Sequence, residues 1–360
     1  MRSVLITGGA GFIGSNFVRF LLRARPGIRI TVLDKLTYAG NLDNLRDLMG
    51  RTDFRFVRGD ICDARVLDRL LPGVDVVYNF AAETHVDRSI LEAGSFVRTD
   101  VLGTYTLLQR CLKANVPRFV QISTDEVYGS IRRGSFREGD PIMPNSPYSA
   151  SKSGGDLLVR AFHVTYGFPA VITRSSNNYG PYQHPEKFIP LFITNAIEGR
   201  ALPMYGDGSN VRDWIYVEDN CRAIEIAGRL GSPGEVYNIG AGEEHPNIEI
   251  ARKIIELTGA DERLLTFVAD RPGHDWRYSL NARRIRALGW RPRVAFDEGL
   301  ARTVRWYARN ELWWRPIKEG SFKRYYAKLH RSRSVACPSG TRPAAPRRGA
   351  GSPSRRKGKR

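Results

Sequence analysis

The 360-residue chain has only four cysteines, and Cys62, Cys111, Cys221 and Cys337 show neither CxxC nor metal-ligand spacing. That scarcity excludes a disulfide framework and a cysteine-held metal; it predicts reduced, mostly buried thiols in a cytoplasmic protein without a metal. No apolar run approaches the roughly 18–20 residues that a membrane span requires. Met1 and Arg2 lead straight into Val4-Leu5-Ile6, which predicts no cleavable leader ahead of the first element. Internal repeats are missing as well. Acidic residues are absent from Arg331 to Arg360, where ten Lys or Arg stand among Pro338, Pro343, Pro346 and Pro353. Such a segment cannot bury enough surface to offset its ordering entropy, so residues 331–360 are read as a disordered basic tail. Removing those ten charges from the net +19 leaves +9 on the body. No aromatic stacking platform is interleaved with the tail's charge, which argues against nucleic acid as a partner and for a dispensable extension. The charge on the body suits an anionic substrate.

What is present is an apolar fraction of 42% with 26% charged residues, a composition that predicts a soluble globular protein. Val4-Leu5-Ile6 reads as a short strand, and Phe12, Ile13, Asn16, Phe17, Phe20 and Leu21 fall near one face of a following helix. Further apolar runs lie at 28–33, 54–57, 74–80, 119–123 and 170–173. Helix-like stretches at 64–71, 105–113 and 148–166 separate many of them. Strands alternating with helices predict an α/β protein with a Rossmann-type, doubly wound parallel sheet. After about Asn177 the pattern is irregular and then resumes in smaller units. We therefore expect a Rossmann domain over 1–175 that carries the catalytic residues. A smaller C-terminal substrate-binding lobe is expected over 176–330, with some of its segments returning to the first domain.

Gly8, Gly11 and Gly14 lie between a strand and a helix, where glycine lets the backbone approach a pyrophosphate and the helix start attracts its charge. Asp34 ends the second strand about twenty residues later, where a carboxylate can accept hydrogen bonds from ribose hydroxyls. It would repel a 2′-phosphate, which favours NAD over NADP; Lys35 beside it weakens that exclusion a little. Asp60 and Ile61 end the next strand and could meet the adenine. Asp34 alone would also serve as a turn former or helix cap.

Tyr148 and Lys152 stand four apart and so share one helix face. A tyrosine is a poor base at neutral pH, but a nearby ammonium and a positively charged nicotinamide would favour its phenolate. Just after an apolar strand come Thr124, Asp125 and Glu126. Elimination of water needs one group to take a carbon-bound proton and another to protonate the leaving hydroxyl, and adjacent carboxyls can divide those roles. The same tripeptide could equally cap a helix or sit in a solvated loop.

With these residues in view, the sequence resembles the dTDP-glucose 4,6-dehydratase family, an extended short-chain dehydrogenase/reductase group. The matching blocks run from about residue 2 to 318. They include TGGAGFIGS (Thr7–Ser15), LDKLTYAGN (Leu33–Asn41), AAETHVDRSI (Ala81–Ile90), STDEVYGS (Ser123–Ser130) and SPYSASK (Ser146–Lys152). SNNYGPYQHPEKFIPL (Ser176–Leu191), YGDGSNVRDWIYVED (Tyr205–Asp219), YNIGAG (Tyr237–Gly242) and DRPGHDWRY (Asp270–Tyr278) follow. Epimerases and decarboxylases of this fold share the glycines and the YxxxK pair but not the TDE, PEKFIP and DRPGHD combination.

The resemblance implies conversion of dTDP-glucose to its 4-keto-6-deoxy derivative with loss of water, through a tightly held NAD, in deoxysugar biosynthesis. It implies that Tyr148, poised by Lys152 and with Thr124 bonding the substrate, deprotonates the sugar 4-hydroxyl as hydride leaves C4. Glu126 then removes the C5 proton, Asp125 protonates the C6 hydroxyl, and the hydride returns to C6. For the cofactor it assigns, besides the glycines, Phe12, Ile13, Asp34, Lys35, Leu36, Thr37, Asp60 and Ile61. Phe80, Ala81, Ala82, Glu83, Thr84, Thr99, Tyr148, Lys152 and Asn178 complete that set. Thr84, Thr124, Asp125, Glu126, Asn177, Glu186, Lys187, Pro203, Met204 and Tyr205 would meet the nucleotide sugar, together with Arg212, Asn247, Asp270, Arg271, Pro272, Gly273 and His274. Lys187, Arg212 and Arg271 suit a diphosphate. A homodimer is implied, with the helix of Tyr148 and the one around Thr104–Lys113 bundled across the interface.

The chain departs from the family pattern at Thr84 (usually Ser), Asp100 (usually Asn) and Ala241 (usually Gly). The residues leave thymidine and uridine both open at the base. A 4-epimerase or a dehydratase of another sugar nucleotide is the nearest alternative, and a non-catalytic NAD- or polyanion-binding protein is the alternative of another class.

Overall fold

The structure, a computed structural model, describes residues 2–270 and 274–322. Arg271, Pro272, Gly273, Cys337 and the basic tail expected over 331–360 lie outside them. The first six strands are β1 (Ser3–Thr7), β2 (Arg29–Asp34), β3 (Phe54–Arg58), β4 (Val76–Asn79), β5 (Phe119–Thr124) and β6 (Ala170–Ser175). Six more follow: β7 (Asn177–Tyr179), β8 (Leu202–Tyr205), β9 (Val211–Tyr216), β10 (Val236–Ile239), β11 (Glu244–Pro246) and β12 (Leu265–Val268). Seven of them form one parallel sheet in the order β3-β2-β1-β4-β5-β6-β10. Helices cover both faces, which is why β4 and β6 are buried at every residue and open on apolar runs rather than alternating patterns. The chain winds outward from β1 to β3, then crosses back to β4. The carboxyl ends of β1 and β4 therefore diverge and open a crevice between their loops.

The helix after β1, Phe12–Ala24, buries Phe17, Val18 and Leu21 completely, which stabilises by about 1.5–3 kcal/mol each. Phe12, Ile13 and Phe20, expected on that same face, are only partly buried, because the first two wall the crevice instead. The helix Pro147–Tyr166 has strong local signals at both ends. Ser146 and Ser149 form a reciprocal capping box, Pro147 takes the first turn, and Gly167 closes the helix in the left-handed region at φ 65°. Its inner face is polar: Ser149, Ser151, Lys152, Ser153 and Asp156 are all buried against the sheet. Asp156 is matched there by Arg174 of β6 at 2.9 Å.

Two of the apolar cores draw heavily on the chain beyond the helix Pro147–Tyr166. One contains β1, β2 and β4 together with Val217, Cys221, Ile224 and Ala227 of the helix Val217–Leu230, Ile239 of β10, and Trp290. Segments from the second half of the chain thus pack onto the sheet. The other core gathers Ile189, Phe192, Trp214, Ile254, Leu300 and Trp314 into a lobe beside the carboxyl edge. That lobe carries two small sheets, β11-β9-β7 and β12-β8.

Candidate active site

The glycine turn is built for close approach. Gly8 has φ 67°, and a Cβ there would lie 2.5 Å from the Ala81 nitrogen; one on Gly14 would run into the Gly8 carbonyl. Gly11 caps the helix Phe12–Ala24 without any side-chain bond, and a Cβ on it would meet little besides the Gly8 oxygen at 3.3 Å. The first N–H groups of the helix are left to face the cavity, an arrangement that fits the pyrophosphate of a dinucleotide. Asp34 ends β2 with its carboxylate buried. One oxygen accepts the Ala10 N–H at 2.9 Å and the other the Leu36 N–H at 2.8 Å. Burial raises its pKa, and these two donors partly offset that. Each oxygen keeps a lone pair for a ribose hydroxyl, so the residues fit NAD. Lys35 pairs with Asp60 at 2.8 Å.

A cavity runs from these glycines along the sheet edge. Of the residues expected at the cofactor, all but Leu36 line it. Leu36 is held at φ 58° and contributes its N–H to Asp34. The cavity also includes Thr124, Asp125, Glu126, Tyr148 and Lys152. A second cavity in the lobe shares Glu126, Asn177, Asn178, Gln183, Glu186 and Lys187 with the first, so the two meet at the carboxyls. Pro203, Met204, Tyr205, Arg212, Asn247 and His274 line the second cavity. Asp270 does not line it; it bonds His274 at 2.6 Å. Arg212, expected at a diphosphate, directs its Nη atoms to the carbonyls of Val211, Trp276 and Asp275 and stacks over Tyr278 at 4.4 Å.

At the junction, Thr124 caps the short turn Asp125–Tyr128 by accepting the Glu126 N–H at 3.2 Å and also bonds Asp125 at 3.2 Å. The capping role open to this tripeptide is therefore real, and it aims both carboxyls into the cavity. Asp125 is 3% exposed, and its pKa is raised well above the carboxylate range by burial, then by the charges of Glu126 and Asp213. That shift favours its protonated form. Tyr148 is partly buried, and its pKa is raised by burial first, then by Glu126 and Asp100. The expected lowering by Lys152 does not dominate. Lys152 is buried beside Tyr148 and donates to the Ile122 carbonyl at 2.8 Å.

Several wall residues carried no role in the sequence reading. Gln183 and His184 line the first cavity, and Trp214, Tyr278 and His85 line the second. Gln183, His184 and His85 sit inside the quoted motifs, but neutral amides and histidines give no local signal of which way they face. The loop carrying Gln183 is pinned from outside. Asn16 donates to the Pro181 carbonyl at 3.0 Å, Arg19 stacks over Tyr182 at 4.4 Å, and the Tyr307 hydroxyl donates to the Gln183 carbonyl.

Residues 5–303 match the family model described as GDP-mannose 4,6 dehydratase. The chain is 53% identical over 320 residues to a dTDP-glucose 4,6-dehydratase of Streptomyces niveus, covering 88% of this chain and 95% of the relative. It is 55% identical over 304 residues to a low-salt glycan biosynthesis protein of Haloferax volcanii, covering 84% and 98%. A crystal structure of the dTDP-glucose 4,6-dehydratase of Streptomyces venezuelae with NAD bound superposes with a TM-score of 0.86 at 55% identity, covering 88% of this chain and all of that one. A UDP-glucose 4-epimerase of Thermus thermophilus in complex with NAD gives 0.78 at 32% identity, covering 85% and 99%.

Proposed function

The chain belongs to the dTDP-glucose 4,6-dehydratase family, and from that premise we propose how its own residues convert dTDP-glucose to the 4-keto-6-deoxy sugar and water. It is an NAD-dependent hydro-lyase. Bound NAD would supply a reversible acceptor for one hydride, taken from C4 and given back at C6. Tyr148 takes the proton of the sugar 4-hydroxyl, with Thr124 and Lys152 holding the hydroxyls and phenol in register. A ketone at C4 acidifies the C5 hydrogen, which Glu126 removes. Asp125 gives its proton to the C6 hydroxyl, which departs as water, and C5 is reprotonated as the product forms.

The single observation that supports elimination over simple epimerisation is the carboxyl pair at the end of β5. Asp125 is buried, which favours its protonated form, while Glu126, one residue on, opens to both cavities. One acid and one base beside the same sugar carbon pair suit loss of water; an epimerase needs neither. The sugar nucleotide lies in the second cavity in this reading, with Lys187, Arg212 and Asn247 along its diphosphate and base.

A homodimer fits the exposed apolar residues of two adjacent elements. Leu157, Val164 and Tyr166 stand out from the helix Pro147–Tyr166 at 54%, 67% and 58% exposure. Val97, Leu102 and Tyr105 stand out from the neighbouring element, and clustered exposed apolar residues mark interaction surfaces. No helix among the described residues is long and apolar enough to cross a membrane, and we place the protein in the cytoplasm.

The test is incubation of purified protein with dTDP-glucose and no added NAD. A product lighter by one water, with a 4-keto group, is expected. No product from folded protein, with or without added NAD and across dTDP-, UDP- and CDP-linked sugars, would sink the reading.

A further inference from the structure

Residues Val97–Gly103 form a π-helical turn, a wide turn that inserts one extra residue and is found most often at functional sites. Its effect here is to send neighbouring side chains in different directions. Thr99 lines the first cavity, whereas Asp100 turns inward and is 2% exposed. One Asp100 oxygen accepts the Glu83 N–H at 3.0 Å; the other accepts the Ser151 hydroxyl at 2.6 Å. Glu83 is part of the cofactor wall after β4, and Ser151 precedes Lys152 and follows Tyr148 by three residues. Among the described residues no Lys, Arg or His lies within salt-bridge distance of this carboxylate. Arg98, the cation on its own turn, is exposed.

A buried carboxylate that bridges the catalytic helix to the cofactor wall without a pairing cation acts on whatever else ionises there. We propose that Asp100 is a positioning residue that sets the pH at which Tyr148 accepts a proton, its charge opposing the phenolate from behind. The groups facing this region are few. Lys152 and Tyr148 come from the helix, Glu83 from the loop after β4, and Asp125 and Glu126 from the far side of Tyr148. Thr104 and Gln121 nearby are neutral. Burial raises the pKa of Asp100 to about 6, with Lys152 opposing, and raises that of Glu83 to about 7, with Asp100 adding to the rise. Asp100 therefore carries its charge at neutral pH, with Glu83 close to the same range. Tyr148 feels Asp100 next after Glu126 among the charges around it. The inference rests on Tyr148 as the proton acceptor of the proposed reaction.

Asp100→Asn is nearly isosteric. It keeps an acceptor for the Glu83 N–H, and the Ser151 hydroxyl, 2.8 Å from the Tyr148 carbonyl, can turn its proton there and accept from the new amide. Two measurements are made on the full-length holoprotein. One is the pH profile of kcat/KM for dTDP-glucose; the other is the alkaline tyrosinate absorbance, with the same titration in a Tyr148→Phe background subtracted. Removing the charge relieves the phenolate, so the acid limb and the Tyr148 transition both move to lower pH, by about one unit. Superimposable titrations of wild type and Asp100→Asn overturn the proposal. If the wild type turns nothing over, the reaction assignment fails on its own, and the tyrosinate titration still decides this point. Should Asp100→Asn not fold, Asp100→Ser removes the same charge and keeps a hydroxyl acceptor for the Glu83 N–H. It is expected to shift the same transition in the same direction, and an unmoved transition there overturns the proposal equally.

Discussion

Arg88 grips Glu186 with both Nε and Nη2, at 3.0 and 2.8 Å from one carboxylate oxygen and across 98 residues of chain. The same guanidinium lies 3.8 Å over the Tyr38 ring. The pair ties the short helix Val86–Leu91 to the segment before the helix Phe188–Ile197, where the two cavities meet. Glu186 is buried, and breaking such a pair from one side leaves a charge without its partner. Arg88→Met is expected to cost about 3–5 kcal/mol, read as a lower urea midpoint. Arg88→Met/Glu186→Leu is expected to regain much of that stability while losing affinity for the nucleotide sugar. A single variant as stable as the wild type would show that the pair contributes nothing.

Two histidines beside that pair make stability depend on pH. Burial lowers the pKa of His85 and of His184 to about 4, and Glu186 is held down to about 2 by these histidines, Arg88 and Lys187 against its own burial. An unfolded histidine protonates near 6.5. Between about 6.5 and about 4 the unfolded chain therefore binds more protons, and stability falls as the pH drops through that window. The Glu186 contribution is present above its ordinary carboxylate range and is lost as the pH falls toward about 2. His85→Gln/His184→Gln is expected to flatten the decline between pH 7 and 4.5 in urea midpoints. An unchanged slope would place the dependence elsewhere.

Asp125 and Glu126 have separable duties. Asp125→Asn keeps the shape but removes the proton for the leaving hydroxyl, and kcat is expected to fall by about 10²–10⁴. Exchange of the C5 hydrogen with deuterated water persists in that variant, because Glu126 is intact. Glu126→Gln loses both turnover and exchange. Mass spectrometry of the recovered sugar distinguishes the two, and equal exchange in both variants would refute the division of labour.

The apolar residues outside the helix Pro147–Tyr166 predict a specific solution behaviour. Leu157→Arg/Val164→Arg places charge on the proposed dimer face, away from the buried side that holds Lys152. Light scattering is expected to show a dimer for the wild type and a monomer for the double variant. A wild-type monomer would refute the assembly.

Much of the frame could be read along the chain because its signals are local. Short apolar runs separated by helix-like stretches announce β1 to β6, glycines mark the turn after β1, and Ser146, Pro147 and Gly167 delimit the helix that carries Tyr148 and Lys152. The acidic residue ending β2 and the carboxyls ending β5 stand where parallel strands deliver side chains to one edge. Less was legible where pairing is distant. Nothing local in Val236–Ile239 says that it joins β6 at the sheet's end, or that Val217–Leu230 packs on Phe12–Ala24.

The sequence by itself determined the residue types and their spacing, and so the chemistry available: a glycine cradle, a strand-end acid, a Tyr/Lys pair and two adjacent carboxyls. Only the tertiary structure decided which of these ionise and what they face. Burial raises the pKa of Asp125, backbone carbonyls accept from the Nη atoms of Arg212, and a π turn buries Asp100 behind Tyr148 while Thr99 reaches the cavity. The physical reason is that pKa and hydrogen bonding depend on solvent exclusion and on partners brought together from remote segments, which no local pattern encodes.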